Sequence, residues 1–202
     1  MGNTPWWNAA QMRGDDYDAK FTALERAGMD VHGEADLVES LDVRSVLDAG
    51  CGTGRVAIEL ARRGLQVAGM DRDRSMLRVA QEKAPHLLWH LDDLATFTLP
   101  GAGAQTGTRL FDAIVLAGNV MIFLDAGTES AVIANLARHL APGGFLIAGF
   151  QLMPNGLSLP RYDACATAVG LVLRHRWATW DKEPWQNTSA YAVSVHGWTK
   201  TS

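Results

Sequence analysis

The chain changes its hydrophobic period several times, and each change marks an element. Val56, Ala57, Leu60 and Ala61 form one apolar stripe at helical spacing; Arg55, Glu59, Arg62 and Arg63 are expected to face away from it, and Gly64 to stop the helix. Ahead of this helix Val46-Leu47-Asp48-Ala49 reads as a short strand, and behind it Leu65-Gln66-Val67-Ala68-Gly69-Met70 reads as the next. Met76, Leu77 and Ala80 make a second helical stripe that Pro85 ends, and Val132, Ile133, Leu136 and Leu140 make another before Pro142-Gly143-Gly144. Near the start, Tyr17, Phe21 and Leu24 stand at i, i+4 and i+7, predicting an amphipathic helix that ends by Gly28, and residues 32–41 predict a second. Strands alternating with helices imply a parallel sheet covered on both faces.

The last 50 or so residues break the alternation. Residues 162–170 suit a helix, 172–177 a strand and 190–198 another strand, with a turn-like stretch over 181–187 between the two strands. Strands so close in sequence are expected to pair antiparallel. The Gly-rich stretch 100–107 is expected to be a flexible surface loop.

Composition narrows the class. At 202 residues, 48% hydrophobic and 20% charged, the chain suits one folded domain with a sizeable core. Eighteen basic against 22 acidic residues give a net charge of −4, and no basic run exceeds Arg62-Arg63, so a nucleic-acid partner is not expected. Two cysteines indicate neither a disulfide framework nor a Cys-rich metal site, and the histidines at 86, 90, 139, 175 and 196 lack metal-ligand spacing. The N-terminal residues do not have the layout of a signal peptide, and no apolar run approaches the ~18 residues of a membrane span. A cytoplasmic protein without a membrane partner is expected.

The candidate chemistry lies between the first strand and its helix. Glycines at 50, 52 and 54 permit a sharp turn and let a ligand lie against bare amides, with the first N–H groups of the helix aimed at it. Asp71, 17 residues past Gly54 at the end of the second strand, is placed to accept hydrogen bonds from a ribose diol. A dinucleotide fold favours G-x-G-x-x-G, but the third glycine position holds Arg55. Asp48-Ala49-Gly50-Cys51-Gly52-Thr53-Gly54 instead resembles motif I of the class I S-adenosylmethionine-dependent methyltransferases. Three further segments resemble that family's strands in the required order. Residues 87–91 run into Asp92-Asp93-Leu94, 111–119 match the fourth strand and its tip, and 140–148 match the turn and fifth strand. The resemblance covers roughly residues 45–150.

The resemblance implies an α/β doubly wound, seven-stranded and mostly parallel sheet of order 3-2-1-4-5-7-6 with an antiparallel last strand. One methyltransferase domain spans 1–202, with an N-terminal helical lid over 1–44, a cofactor-binding core over 45–150 and a C-terminal helix and strand pair over 151–202. Carried over by position, the backbone of Gly50, Cys51, Gly52 and Gly54 faces the methionyl part of the cofactor, and Asp48 lies near its amino group. Asp71 holds the ribose hydroxyls, and Arg72 flanks the adenine. Asp93, chosen over Asp92 because it directly precedes the leucine, reads the adenine edge with the Leu94 amide, and Ala117 offers its carbonyl. Lys20 and Tyr17 are candidates on the lid, against the alternatives of a solvated face and a core position. Asn119 and His32 are the candidate catalytic residues, His32 as base or acceptor clamp; Gly118-Asn119-Val120-Met121 lacks the prolines of the amino-methyltransferase motif, so N-methylation is not implied. Trp177, Trp180 and Trp185 suit either an aromatic cage or ordinary packing. Within the family, the compact size and the tip at 117–121 are similar to small bacterial tellurite-resistance methyltransferases.

The expected activity is methyl transfer from S-adenosyl-L-methionine, with S-adenosyl-L-homocysteine as product, to a small-molecule acceptor. A minimal chain without long insertions supports that acceptor class. The competing classes are a non-catalytic protein that binds the cofactor or its product, and a nicotinamide dehydrogenase, which Arg55 and the third-strand acid disfavour.

Overall fold

In the computed structural model, residues 31–101 and 107–199 are described, together with residues 23 and 26–28. The described chain runs α1 (Gly33–Glu39), β1 (Ser45–Ala49), α2 (Arg55–Arg62), β2 (Gln66–Asp71), α3 (Arg74–Lys83), β3 (Leu88–Leu91) and β4 (Phe111–Leu116). A 3-10 turn (Val120–Ile122) follows, then α4 (Glu129–Arg138), β5 (Leu140–Gln151), α5 (Leu159–Ala168), β6 (Leu171–Trp177) and β7 (Tyr191–Trp198). The seven strands form one sheet in the order β3-β2-β1-β4-β5-β7-β6. The first five are parallel to one another, while β7 lies antiparallel between β5 and β6, as the resemblance implied.

Local chemistry sets the element ends. The Asp73 carboxylate accepts the Ser75 N–H at 2.7 Å and the Met76 N–H at 3.3 Å, capping α3. Ser158 caps α5 with Pro160 in its first turn, so that helix opens at Leu159 and not, as expected, at Tyr162. The helix expected to reach Leu140 stops at Arg138, because Leu140 already pairs with Phe111 across β5 and β4. Pro142-Gly143-Gly144, expected as a turn, lies within β5, where the register with β4 slips between Phe111 and Ala113.

Both faces of the sheet are buried, as parallel sheets require. Leu47, Ala49, Ile114 and Leu116 point toward α4 and α5, whereas Val46, Val67, Val115 and Ile147 point toward α1 and α2. Ala35, Leu37 and Val38 put one face of α1 into this second core. The polar face of α1 meets the basic side of α2. Arg55 pairs with Glu34, both side chains only 12% exposed, and Arg63 pairs with Asp36, Glu39 and Glu59. Arg55, Glu59 and Arg63, expected to face away from the apolar stripe, are nonetheless largely buried, because α1 covers that side and supplies the acids. The connection between β6 and β7 holds α1 from the other side: Trp180 seats against Gly33, and Lys182 Nζ donates to Ser40 Oγ at 2.8 Å. No described helix is long and apolar enough to cross a membrane.

Candidate functional site

The tips of β1, β2 and β4 gather at the carboxyl edge of the sheet, where open α/β folds bind ligands. β1 passes into the glycine loop through a forked contact: the Gly50 and Cys51 N–H groups both donate to Met70 O, at 2.8 and 2.9 Å. The Gly54 N–H donates to Cys51 O at 2.9 Å, and the Gly52 N–H to Asp71 Oδ2 at 2.8 Å. Four loop amides are thus engaged inside the protein, which corrects the expectation of bare amides for a ligand. The β2 end takes three of them and the Cys51 carbonyl the fourth. What the loop offers is shape. Gly50, Gly52 and Gly54 have φ of +82°, +55° and +81°, a region that side-chain-bearing residues avoid. A Cβ on Gly50 would stand 2.4 Å from Val120 Cγ2 and one on Gly54 2.5 Å from Trp89 Cη2, whereas one on Gly52 would meet nothing within 4 Å.

Two carboxylates flank the loop. Asp48 is buried beneath it, where Oδ2 accepts the Ala57 N–H in the first turn of α2 at 3.0 Å. Burial raises its pKa to about 7, against the opposing pull of that hydrogen bond and of the Arg55 charge. Asp71 accepts the Gly52 N–H on one oxygen and the Asp73 N–H, at 2.8 Å, on the other. Its pKa is also raised, chiefly by burial, with these amides pulling it down. The Cys51 thiol is buried, and burial together with the charges of Asp48 and Asp71 holds its pKa well above the usual thiol range.

Asp93 is exposed after β3, its Oδ1 accepting the Ala95 N–H at 2.8 Å, and its own N–H bonds Asp92 Oδ1. The Leu94 side chain is buried, and Asn135 of α4 donates to its carbonyl at 3.1 Å. Arg72 is exposed, 3.5 Å from Asp125. Ala117 is buried at the tip of β4. Asn119 has left-handed backbone, and its Oδ1 accepts the Gln151 N–H at 2.8 Å, tying the β4 tip to the end of β5. His32 is half-buried at the N-terminus of α1 and makes no side-chain cap. Tyr17 and Lys20 lie outside the described residues.

The tryptophans do not converge. Trp177 and Trp180 pack on the α1 side of the sheet and Trp185 on the α5 side, so the three form no common cage. Trp180 Nε1 donates to the Tyr191 hydroxyl at 3.2 Å above Gly149. Sequence reasoning missed Val120, which fills the space beside Gly50, and Trp89, which does so beside Gly54. Gly69 inside β2 carried a signal for the second, since glycine within a strand often marks a close approach. Among the described residues no group of three His, Cys, Asp or Glu side chains could hold a metal ion.

Comparison with known proteins agrees with this geometry. Residues 46–144 match the family model described as a methyltransferase domain. An uncharacterised methyltransferase of Mycobacterium tuberculosis is 35% identical over 147 residues, 68% of this chain and 69% of that one. A dTDP-3-amino-3,4,6-trideoxy-α-D-glucopyranose N,N-dimethyltransferase of Streptomyces venezuelae is 30% identical over 138 residues, 67% of this chain and 51% of that one. Among solved structures, a TehB-like SAM-dependent methyltransferase from Corynebacterium glutamicum is 32% identical with a TM-score of 0.80, covering 93% of this chain and 98% of that one.

Proposed function

The chain belongs to the S-adenosylmethionine-dependent methyltransferases, and on that premise we propose that the loop at 50–54 and the strand tips around it hold the cofactor and that the acceptor is a small molecule. The reaction is methyl transfer from S-adenosylmethionine. The open face of Gly52, between two side chains that close off Gly50 and Gly54, carries the site assignment. The Asp71 carboxylate spends two of its roughly four lone-pair directions on the Gly52 and Asp73 amides, leaving the rest for a ribose diol. Asp48 is assigned to the methionyl amino group, Asp93 and the Leu94 amide to the adenine edge, Arg72 to its flank and the Ala117 carbonyl to the methionyl end. With part of its oxygen capacity used on Gln151, Asn119 fixes the β4 tip and retains its amide N–H groups for an acceptor.

The cofactor's sulfonium supplies a methyl group that is already activated. The protein's part is to hold the acceptor atom close, aligned and dry, and positioning of that kind supplies ~7 to 11 kcal/mol. Residues ahead of α1, with Tyr17 and Lys20, are assigned the covering role, since α1 itself is built into the body. The absence of long insertions between described strands supports a small acceptor, and the Streptomyces venezuelae relative is named for a sugar nucleotide. The use of only two cysteines, both free, supports a cytoplasmic location.

Gly52→Val tests the site. A β-branched side chain there fills the open face and resists positive φ at a strain cost of roughly 1 to 3 kcal/mol, so binding of S-adenosylhomocysteine is expected to vanish. A variant that is folded by circular dichroism and binds normally would move the ligand elsewhere. Labelled S-adenosylmethionine with a panel of amines, thiols, hydroxyl and carboxyl compounds tests the acceptor class; cofactor binding without turnover on any of them would favour a sensor.

A further inference from the structure

Gly69 in the middle of β2 is not there for a turn. It pairs in register with Asp48 and Trp89, and its backbone lies outside the left-handed region. The space where a side chain would stand is taken: a Cβ on Gly69 would lie 2.3 Å from Trp89 Cζ3, 2.5 Å from Trp89 Cε3 and 3.0 Å from Cys51 Sγ. The same indole reaches the last glycine of the loop, where a Cβ on Gly54 would lie 2.5 Å from Cη2 and 3.1 Å from Cζ3, beside Ala80 Cβ at 3.2 Å. Its other edge is fixed, because Trp89 Nε1 donates to Ala84 O at the end of α3 at 2.9 Å. One side chain on β3 therefore rests on β2 beside the Cys51 thiol, reaches the loop at Gly54, and is pinned to α3.

We infer that Trp89 is a positioning residue for the cofactor: a wedge over Gly69 that sets the height of the Cys51–Gly54 stretch and holds Gly54 in its left-handed turn, so that the Gly52 face stays open. This rests on the assignment of the loop as the cofactor site. Trp89 acts through the loop and not by touching the ligand. Without the indole, the loop has room to sink onto β2, and sub-ångström displacement of a binding element is enough to lose affinity.

The test is a coupled pair. Gly69→Ala adds one methyl where the indole sits and places no strain on the backbone, so its effect depends on the ring being present. W89L, W89F, G69A and W89L/G69A are compared with wild type by calorimetric titration with S-adenosylhomocysteine, at a temperature where circular dichroism finds each folded. W89L and G69A are each expected to weaken binding by ~10-fold, and the double variant to bind within ~2-fold of W89L, because the added methyl enters space the ring has vacated. W89F keeps a ring over Gly69 but falls short of Gly54 and cannot donate to Ala84, so an intermediate loss is expected; it also decides the matter where W89L does not fold. Tryptophan variants that bind like wild type, or penalties that multiply in the double variant, overturn the wedge alone. Wild type that does not bind S-adenosylhomocysteine overturns the cofactor assignment, and the wedge with it.

Discussion

Asp71 serves the loop and the ligand with one carboxylate. Asp71→Ala releases the Gly52 and Asp73 amides as well as the proposed ribose contacts. The loss of charge-assisted hydrogen bonds, together ~2 to 4 kcal/mol, is expected to weaken S-adenosylhomocysteine binding more than tenfold while the sheet stays folded. Calorimetry with circular dichroism decides; unchanged affinity would remove Asp71 from the site. Asp48 makes a pH argument. Its pKa rises from 3.8 to about 7 on folding, so between those values the folded state keeps a proton the unfolded chain has lost, and stability falls as pH rises through that window. His196, buried beside Asp163 and Arg176, acts the other way: burial lowers its pKa, so the folded state refuses a proton that the unfolded chain takes up below about 6.5. The two overlap, and only a difference isolates Asp48. In the absence of cofactor, the melting temperature of wild type relative to Asp48→Asn is expected to fall steadily from about pH 4 to about pH 7. A constant difference would mean that Asp48 does not titrate in that range.

At the scale of elements, α1 is the informative piece. Its apolar face was visible as periodicity, but the partners of its acids were not, because which of Glu34, Asp36 and Glu39 meets which arginine of α2 depends on how two helices cross. Arg55 was legible as the residue that replaces a third glycine, and not as the anchor of α1. The sheet order was legible only through the family's motif order, since periodicity predicts strands and not their neighbours. The tryptophans were ambiguous because Trp185 follows a turn that carries the chain to the other face. Glu34→Ala removes the carboxylate that pairs with Arg55 where both side chains are only 12% exposed and leaves the guanidinium its bond to the Val31 carbonyl, so it is expected to cost roughly 1 to 3 kcal/mol of stability and to loosen the start of α2. Urea unfolding measures it, and a loss under about 0.5 kcal/mol would rank the contact with ordinary surface pairs.

For the whole molecule, the core residues of the described chain begin at Ala35 and continue to Val195. All seven strands lie within residues 45–198, and deleting residues 1–30 is expected to leave a folded sheet with weakened cofactor binding, read by circular dichroism and calorimetry. Full affinity in the truncated protein would deny the leading residues a covering role. Hydrogen exchange adds a spatial check, since the loop at 50–54 should gain protection on saturation with S-adenosylhomocysteine in either form. The position of β7 has a consequence for synthesis. The last of the described strands is not at the edge of the sheet; it enters between β5 and β6, which are not paired with each other. A ribosome that has released everything through β6 has therefore released a protein with a gap in its sheet, β5 presenting an unsatisfied row of amides and carbonyls and β6 without a neighbour. Such an edge invites pairing with another chain. Completion waits for residues 191–198, and a chain that stops short of them is a product for proteolysis or aggregation, not a slightly shorter enzyme.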